Sequence, residues 1–180
     1  MPMVFRYSLR LKTPLQTCEW RIIQMSFATY MVIVASSPFF VRELKASELT
    51  NMIDLWREAG LPFKARGRDS MPSLRIQMKR TPDLFLGAFE GGKLIGVVLA
   101  SDDGRRGWIN RLAVHPDAQR RGVGTALMRA AEAALRKKGR RLFCVHVERG
   151  NEASMRLLDE AGYRLEEDIL YYAKRERRSY

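Results

Sequence analysis

The segment Val114-His115-Pro116, followed by Gln119-Arg120-Arg121-Gly122-Val123-Gly124-Thr125, is the part of this chain best suited to chemistry. Two glycines spaced one residue apart let the backbone curl closely around a ligand. If a helix begins there, the amides of its first turn lack intrahelical partners and point at whatever sits above them, an anion above all. Arg120 and Arg121 add positive charge beside that cradle, so a pyrophosphate would fit. A short G-x-G at a helix start equally serves close packing of helix on strand, and the two readings stand side by side. Further along, Asn151 is placed to cap a helix. His115, His146, Glu148, Tyr163, Tyr171 and Tyr172 are side chains able to move a proton. Cys18 and Cys144 allow at most one disulfide, and no Cys/His cluster has zinc-ligand spacing, so a reducing cytoplasm and no metal are expected.

Regular elements must hold these residues in place. Phe39–Leu44 reads as a strand, with Ser47 capping a helix along which Leu49, Met52, Ile53 and Trp56 recur at helical spacing. Gly60-Leu61-Pro62 stops it, a polar stretch from Lys64 to Ser70 reads as a loop, and Met71–Met78 reads as a second helix. Leu84–Glu90 and Lys93–Ser101 form two strands around Gly91-Gly92, a strong hairpin signal, and Trp108–Val114 forms the next. Val123, Ala126, Leu127, Ala130, Ala134 and Leu135 line one face of a long helix ending at Gly139. A strand over 141–148, a helix over 152–160 and two short strands to about Lys174 complete the prediction. The expected fold is a mixed α/β sheet with helices on its faces.

The chain has 180 residues, 46% hydrophobic and 29% charged, enough for one substantial core and a tight fit for two domains. Its net charge of +12 attracts anions, but the cations are scattered and no nucleic-acid-binding signature accompanies them. Residues 1–37 read as a separate N-terminal extension, and 38–180 as the domain. The apolar stretch from Ile22 to Ala35 is interrupted by Gln24, Ser26 and Thr29, too short and broken to span a bilayer. Three readings of the extension are open: residues upstream of a natural start at Met25 or Met31, a docked segment, or a targeting signal. It holds four basic residues and one acid, so +9 belongs to the rest of the chain.

A strand ending in V-x-P, then Q-x-x-G-x-G, then an Ala-rich helix resembles the central coenzyme A motif of the GNAT superfamily of N-acetyltransferases. Asn151-Glu-Ala-Ser154-Met-Arg156-Leu157-Leu158-Asp-Glu-Ala-Gly162-Tyr163 is similar to a second motif of that family. The resemblance covers about residues 39–174. It implies a mostly antiparallel central sheet flanked by helices on both faces, with acetyl-CoA as co-substrate. It implies that amides from Gln119 or Arg120 through Arg121, Gly122, Val123, Gly124 and Thr125 hold the pyrophosphate. Leu112, Ala113 and Val114 would pair with the pantetheine arm as if it were an added strand. The Val114 amide would polarise the thioester carbonyl. Asn151, with Ser154 and Arg156, would contact the pantetheine arm.

Two positions depart from the family pattern. Asn110 stands where many members carry a Glu general base, and Leu158 where many carry a Tyr acid, and neither can do that work. Tyr171 and Tyr172 rank first among the substitutes, because the family's final strand borders the acceptor cleft. The expected activity is acetyl transfer to a primary amine, a small molecule or a peptide, by direct attack in a ternary complex. A weakly catalytic acyl-CoA sensor is the alternative, and a nucleic-acid module rests on charge alone. No nucleic-acid or membrane partner is expected, and a homodimer is compatible with the family.

Overall fold

The computed structural model describes residues 38–174, so the extension and Cys18 lie outside the described residues. Five strands form one sheet in the order β1-β2-β3-β4-β5, comprising β1 (Phe40–Glu43), β2 (Phe85–Glu90), β3 (Lys93–Asp102), β4 (Gly107–Val114) and β5 (Phe143–Val145). The first four are antiparallel neighbours, and β4 and β5 run parallel. Four α-helices flank the sheet: α1 (Leu49–Glu58), α2 (Met71–Arg80), α3 (Val123–Lys137) and α4 (Glu152–Glu160). The sheet is thus mostly antiparallel with helices on both faces, as the sequence predicts.

Alternation along the strands divides the core in two. Leu99, Val97 and Ala113 pack with Trp56, Met52, Leu49 and Leu74 of α1 and α2. Ile95, Val98, Ala100 and Ile109 pack on the other face with Val123, Leu127, Ala131 and Leu135, one stripe of α3. Glycine sets the depth of that second layer. A methyl group at Gly107 would meet Leu135 at 2.5 Å, and one at Gly96 would meet Val123 at 2.8 Å. Both leave room for α3 to lie directly on the sheet.

Three expectations need correction. Ser47 does not cap α1; it lies inside a short 3-10 turn, Ala46–Glu48, and Glu48 precedes Leu49 with no side-chain cap. The strand predicted over 141–148 is paired only from Phe143 to Val145, and residues 164–174 form no strand. Alternating apolar residues reveal a tendency to extend, but a strand also needs a partner edge. The three paired residues of β5 offer little, and Leu165, Ile169 and Leu170 remain exposed.

Candidate active site

The site is built around an interruption of the sheet. β4 and β5 pair only through Gly107–Phe143, Trp108–Cys144 and Ile109–Val145. Beyond Ile109, β4 runs on to Val114 with no strand on that side. Its pairing with β3 also shifts: Val97 faces Ala113 while Leu99 faces Asn110, so β4 carries an extra residue. This bulge contains Arg111, whose φ of +54° is left-handed.

The open edge of β4 presents unspent backbone groups. The His115 amide donates to the Ile95 carbonyl at 2.9 Å, making those two a hydrogen-bonded pair of the antiparallel ladder. The next pair, Gly96 and Val114, is therefore non-bonded, and the Val114 N–H points away from β3 into the gap beside β5. The Val114 carbonyl also faces outward, where it accepts from the Gln119 side-chain amide at 3.3 Å.

The start of α3 lies immediately downstream. Gly122 is its N-cap at φ +80°, and no side chain caps the helix. α2 and α4 begin differently: Ser70 accepts from the Ser73 amide and Asn151 from the Ser154 amide. The amides of Gly122, Val123, Gly124 and Thr125 are thus left for another acceptor, and the first helical bond is Ala126 N–H to the Gly122 carbonyl. Arg120 at φ +58° and Gly122 bracket Arg121, a backbone curl that gathers successive amides into a concavity.

Individual residues refine the expectation. The Gln119 amide donates to Pro116 at 3.2 Å, so the row of uncommitted amides begins at Arg120. The Arg121 guanidinium is paired with Glu90 through two hydrogen bonds, which directs its charge to the β2–β3 hairpin. A Cβ at Gly122 would meet nothing within 4 Å, whereas one at Gly124 would meet Leu157 of α4 at 3.3 Å. Gly122 therefore borders open space, and Gly124 serves the approach of α4 to α3. The Asn151 oxygen is spent on its cap at 3.1 Å from the Ser154 amide, and Arg156 is exposed.

On the α1–α2 face, Asn110 donates to the Ser101 hydroxyl at 3.3 Å. Trp108 stacks on His146 with centroids 4.8 Å apart, and His146 meets the Tyr171 ring at 4.9 Å. Tyr171 is 72% exposed and Tyr172 is 85% exposed. Tyr163 donates to Glu132 of α3 at 3.0 Å, and burial together with that carboxylate pushes its hydroxyl above the ordinary tyrosine range. The Tyr163 hydroxyl is thus committed to Glu132 on α3. His115 caps the turn after β4, its Nδ1 accepting from the Asp117 amide at 3.2 Å.

The feature that sequence reading missed is Arg111 with Asp69. The pair spans 42 residues and shows no short-range pattern.

The sequence model of the acetyltransferase (GNAT) family matches residues 49–163. The chain belongs to this family. It is an acetyl-CoA-dependent acetyltransferase. It is similar to an acetyltransferase of Sodalis glossinidius, 28% identical over 75% of this chain and 94% of that protein. A Pectobacterium atrosepticum acetyltransferase is 29% identical over 68% of this chain and 86% of its own. Among solved structures, the PaiA N-acetyltransferase of Thermoplasma acidophilum with coenzyme A superposes with a TM-score of 0.63 at 24% identity, over 71% of this chain and 91% of that one. The aminoglycoside acetyltransferase AAC(6')-Iy with a bisubstrate analogue gives 0.64 at 20% identity, over 76% and 98%. At those identities the likeness speaks for the fold.

Among the described residues no helix is long and apolar enough to cross a membrane, and no group of three or more His, Cys, Asp or Glu could hold a metal.

Proposed function

We propose that residues 38–180 of this acetyltransferase form a cytoplasmic catalytic domain that transfers acetyl from acetyl-CoA to a primary amine by direct attack in a ternary complex. The observation that carries this is the outward-facing Val114 amide, set beside the uncapped start of α3. A thioester lying along β4 would place its carbonyl at that amide and its pyrophosphate at the Arg120–Thr125 curl. Leu112, Ala113 and Val114 supply the strand edge for the pantetheine arm, and Asn151, Ser154 and Arg156 flank it from α4.

In the reaction the amine nitrogen bonds the carbonyl carbon, the carbon–sulfur bond breaks, and the sulfur leaves with its electron pair and takes a proton. The Val114 N–H stabilises the negative charge that develops on oxygen, a contribution realised mainly in the transition state. The amine must shed a proton, and Asn110 cannot accept it. As the acid that returns a proton to the leaving sulfur, Tyr171 is the better placed of the two tyrosines, because its ring rests on His146 above Trp108; Tyr172 makes no such contact.

The missing carboxylate shapes the choice of acceptor. A lysine amine of pKa ~10.4 is neutral in about one part in a thousand at pH 7.4, whereas an α-amine near 7.8 is roughly one-third neutral. The domain therefore favours peptide N-termini or other low-pKa amines. Release of coenzyme A thiol, measured across amines of graded pKa at fixed pH, tests this. Faster turnover of alkyl amines than of α-amines with comparable binding overturns it. Binding of coenzyme A without release by any amine supports a sensor instead.

A further inference from the structure

Between Glu58 and Asp83 the chain carries six cations, Lys64, Arg66, Arg68, Arg75, Lys79 and Arg80, and one acid, Asp69. That acid does not balance them at the surface. It is only 5% exposed, and it is the one charged side chain buried among the described residues. Arg111 reaches it from the β4 bulge, with Nη2 donating to Oδ2 at 2.6 Å and Nε to Oδ1 at 3.2 Å. The Lys64 amide donates to Oδ2 at 2.7 Å, and Arg111 Nη1 donates to the Pro62 carbonyl at 2.8 Å.

These contacts clamp the loop over 61–70 to the bulge, on the face of the sheet opposite α3. The loop is also tied within itself, from the Gly67 amide to Lys64 and from the Ser70 amide to Gly67, and to α2 by Gln77 on the Arg68 carbonyl. All six cations are exposed. Among the described residues none has an ion-pair partner except Arg68, which comes no nearer than 3.9 Å to Asp69. The clamp consumes the loop's only carboxylate in holding it still, so the outward face is left uniformly positive.

Resting on the amine-transfer reading, we propose that this loop is the acceptor-selecting wall of the site. Arg111 and Asp69 act as its positioning residues, and it selects peptides whose N-terminal α-amine is followed by acidic residues. A cationic rim raises the local concentration of an anionic acceptor and repels polyamines, over the ~8–10 Å reach that salt screening allows. An acidic peptide is favoured over nucleic acid, because Lys64–Arg80 contains no Phe, Tyr or Trp on which bases would stack.

The test uses the full chain, loaded with coenzyme A for binding and supplied with acetyl-CoA for turnover, and peptides that share a first residue and carry acidic, neutral or basic residues at the next four positions. Binding is read by fluorescence anisotropy and turnover by thiol release, at low and high salt. Acidic peptides should bind about tenfold or more tighter than basic ones at low salt, with the gap closing as salt rises. Arg66→Glu combined with Arg75→Glu, both exposed and without an ion-pair partner among the described residues, should reverse the preference. Asp69→Asn and Arg111→Met should raise KM for the acidic peptide and leave KM for acetyl-CoA unchanged, with Arg111→Lys partly restoring the first. Equal binding of acidic and basic peptides overturns the proposal, as does tighter binding of an RNA duplex than of the acidic peptide. Equal rises in both KM values overturn the positioning role. Salt-sensitive acidic-peptide binding without turnover supports the charge selection while sinking the transfer reading.

Discussion

The two sides of β4 work by different means. Toward the gap, the chemistry belongs to the backbone: the Val114 amide, the amides that start α3, and a glycine where a capping side chain would otherwise stand. Toward α1 and α2, it depends on side chains, namely Asn110, Arg111 with Asp69, and the Trp108–His146–Tyr171 stack. Backbone chemistry tolerates almost any side chain provided the curvature is right. Side-chain chemistry is lost by one substitution, as Asn110 illustrates. On the proposed reading, this difference would let acceptor handling change while donor handling is kept.

The sharpest way to break the comparison is to remove one backbone donor. Val114→Pro deletes an N–H that faces the gap and makes no bond to β3, so the sheet loses no ladder hydrogen bond. Loss of one oxyanion donor costs about 10²–10³ in kcat, and that is the expected effect, with a smaller loss of coenzyme A affinity because the ring enters the edge proposed for the pantetheine arm. An unchanged kcat would place the charge-stabilising group elsewhere. Melting curves separate this result from misfolding.

Glycine substitutions come next, and they should separate the two roles hidden in G-x-G. Gly122→Val puts a branched side chain at φ +80° in the open curl, and calorimetry should show coenzyme A affinity falling by about tenfold or more, since both strain and occupied space oppose binding. Gly124→Val pushes into Leu157 and should instead destabilise the fold by roughly 1–3 kcal/mol. Should Gly124→Val bind coenzyme A normally once corrected for stability, only Gly122 is needed for clearance.

On the opposite side, Asn110→Glu places a carboxylate where the family pattern implies one. Turnover of alkyl amines should rise relative to α-amines, by something approaching the ~10²-fold that general-base catalysis supplies at its low end. No change in the ratio would mean that another group, such as His146, already accepts the proton.

What the sequence made legible follows the same division. Helix boundaries were readable because apolar stripes such as Val123–Leu127–Leu135 are local, and α4 was placed from Glu152 to Glu160 as observed. The start of α3 at Gly122 was readable because the glycines and the apolar stripe that follows them are neighbours in the chain. Arg111 and Asp69 were not, since their meeting depends on a bulge that three-dimensional pairing creates. The strand status of 164–174 failed for a related reason: alternation cannot show whether a neighbouring edge is available.

The smallest expected effect concerns how firmly the acceptor side is held in acid. Glu48, at the start of α1, accepts from Arg42 at 2.6 and 2.9 Å and from the Lys45 amide at 2.7 Å. The Arg42 hydrogen bonds lower its carboxyl to about 2 against the opposing effect of burial. A carboxylate whose folded pKa is depressed adds stability that is present above its unfolded value, near 4.5, and is lost as pH falls toward about 2. Glu48→Gln should therefore lower stability at pH 7 by roughly 1 kcal/mol or less, as expected for a partly exposed pair. It should also flatten the stability curve between pH 4.5 and 2, where the two proteins converge. Chemical denaturation across that range measures the difference, and hydrogen exchange should place it in β1 and α1 with α3 unaffected. Parallel curves for the two proteins would mean that the Arg42–Glu48 pair contributes no pH-dependent hold on α1, and that the acceptor side relies on apolar packing and the Arg111–Asp69 clamp alone.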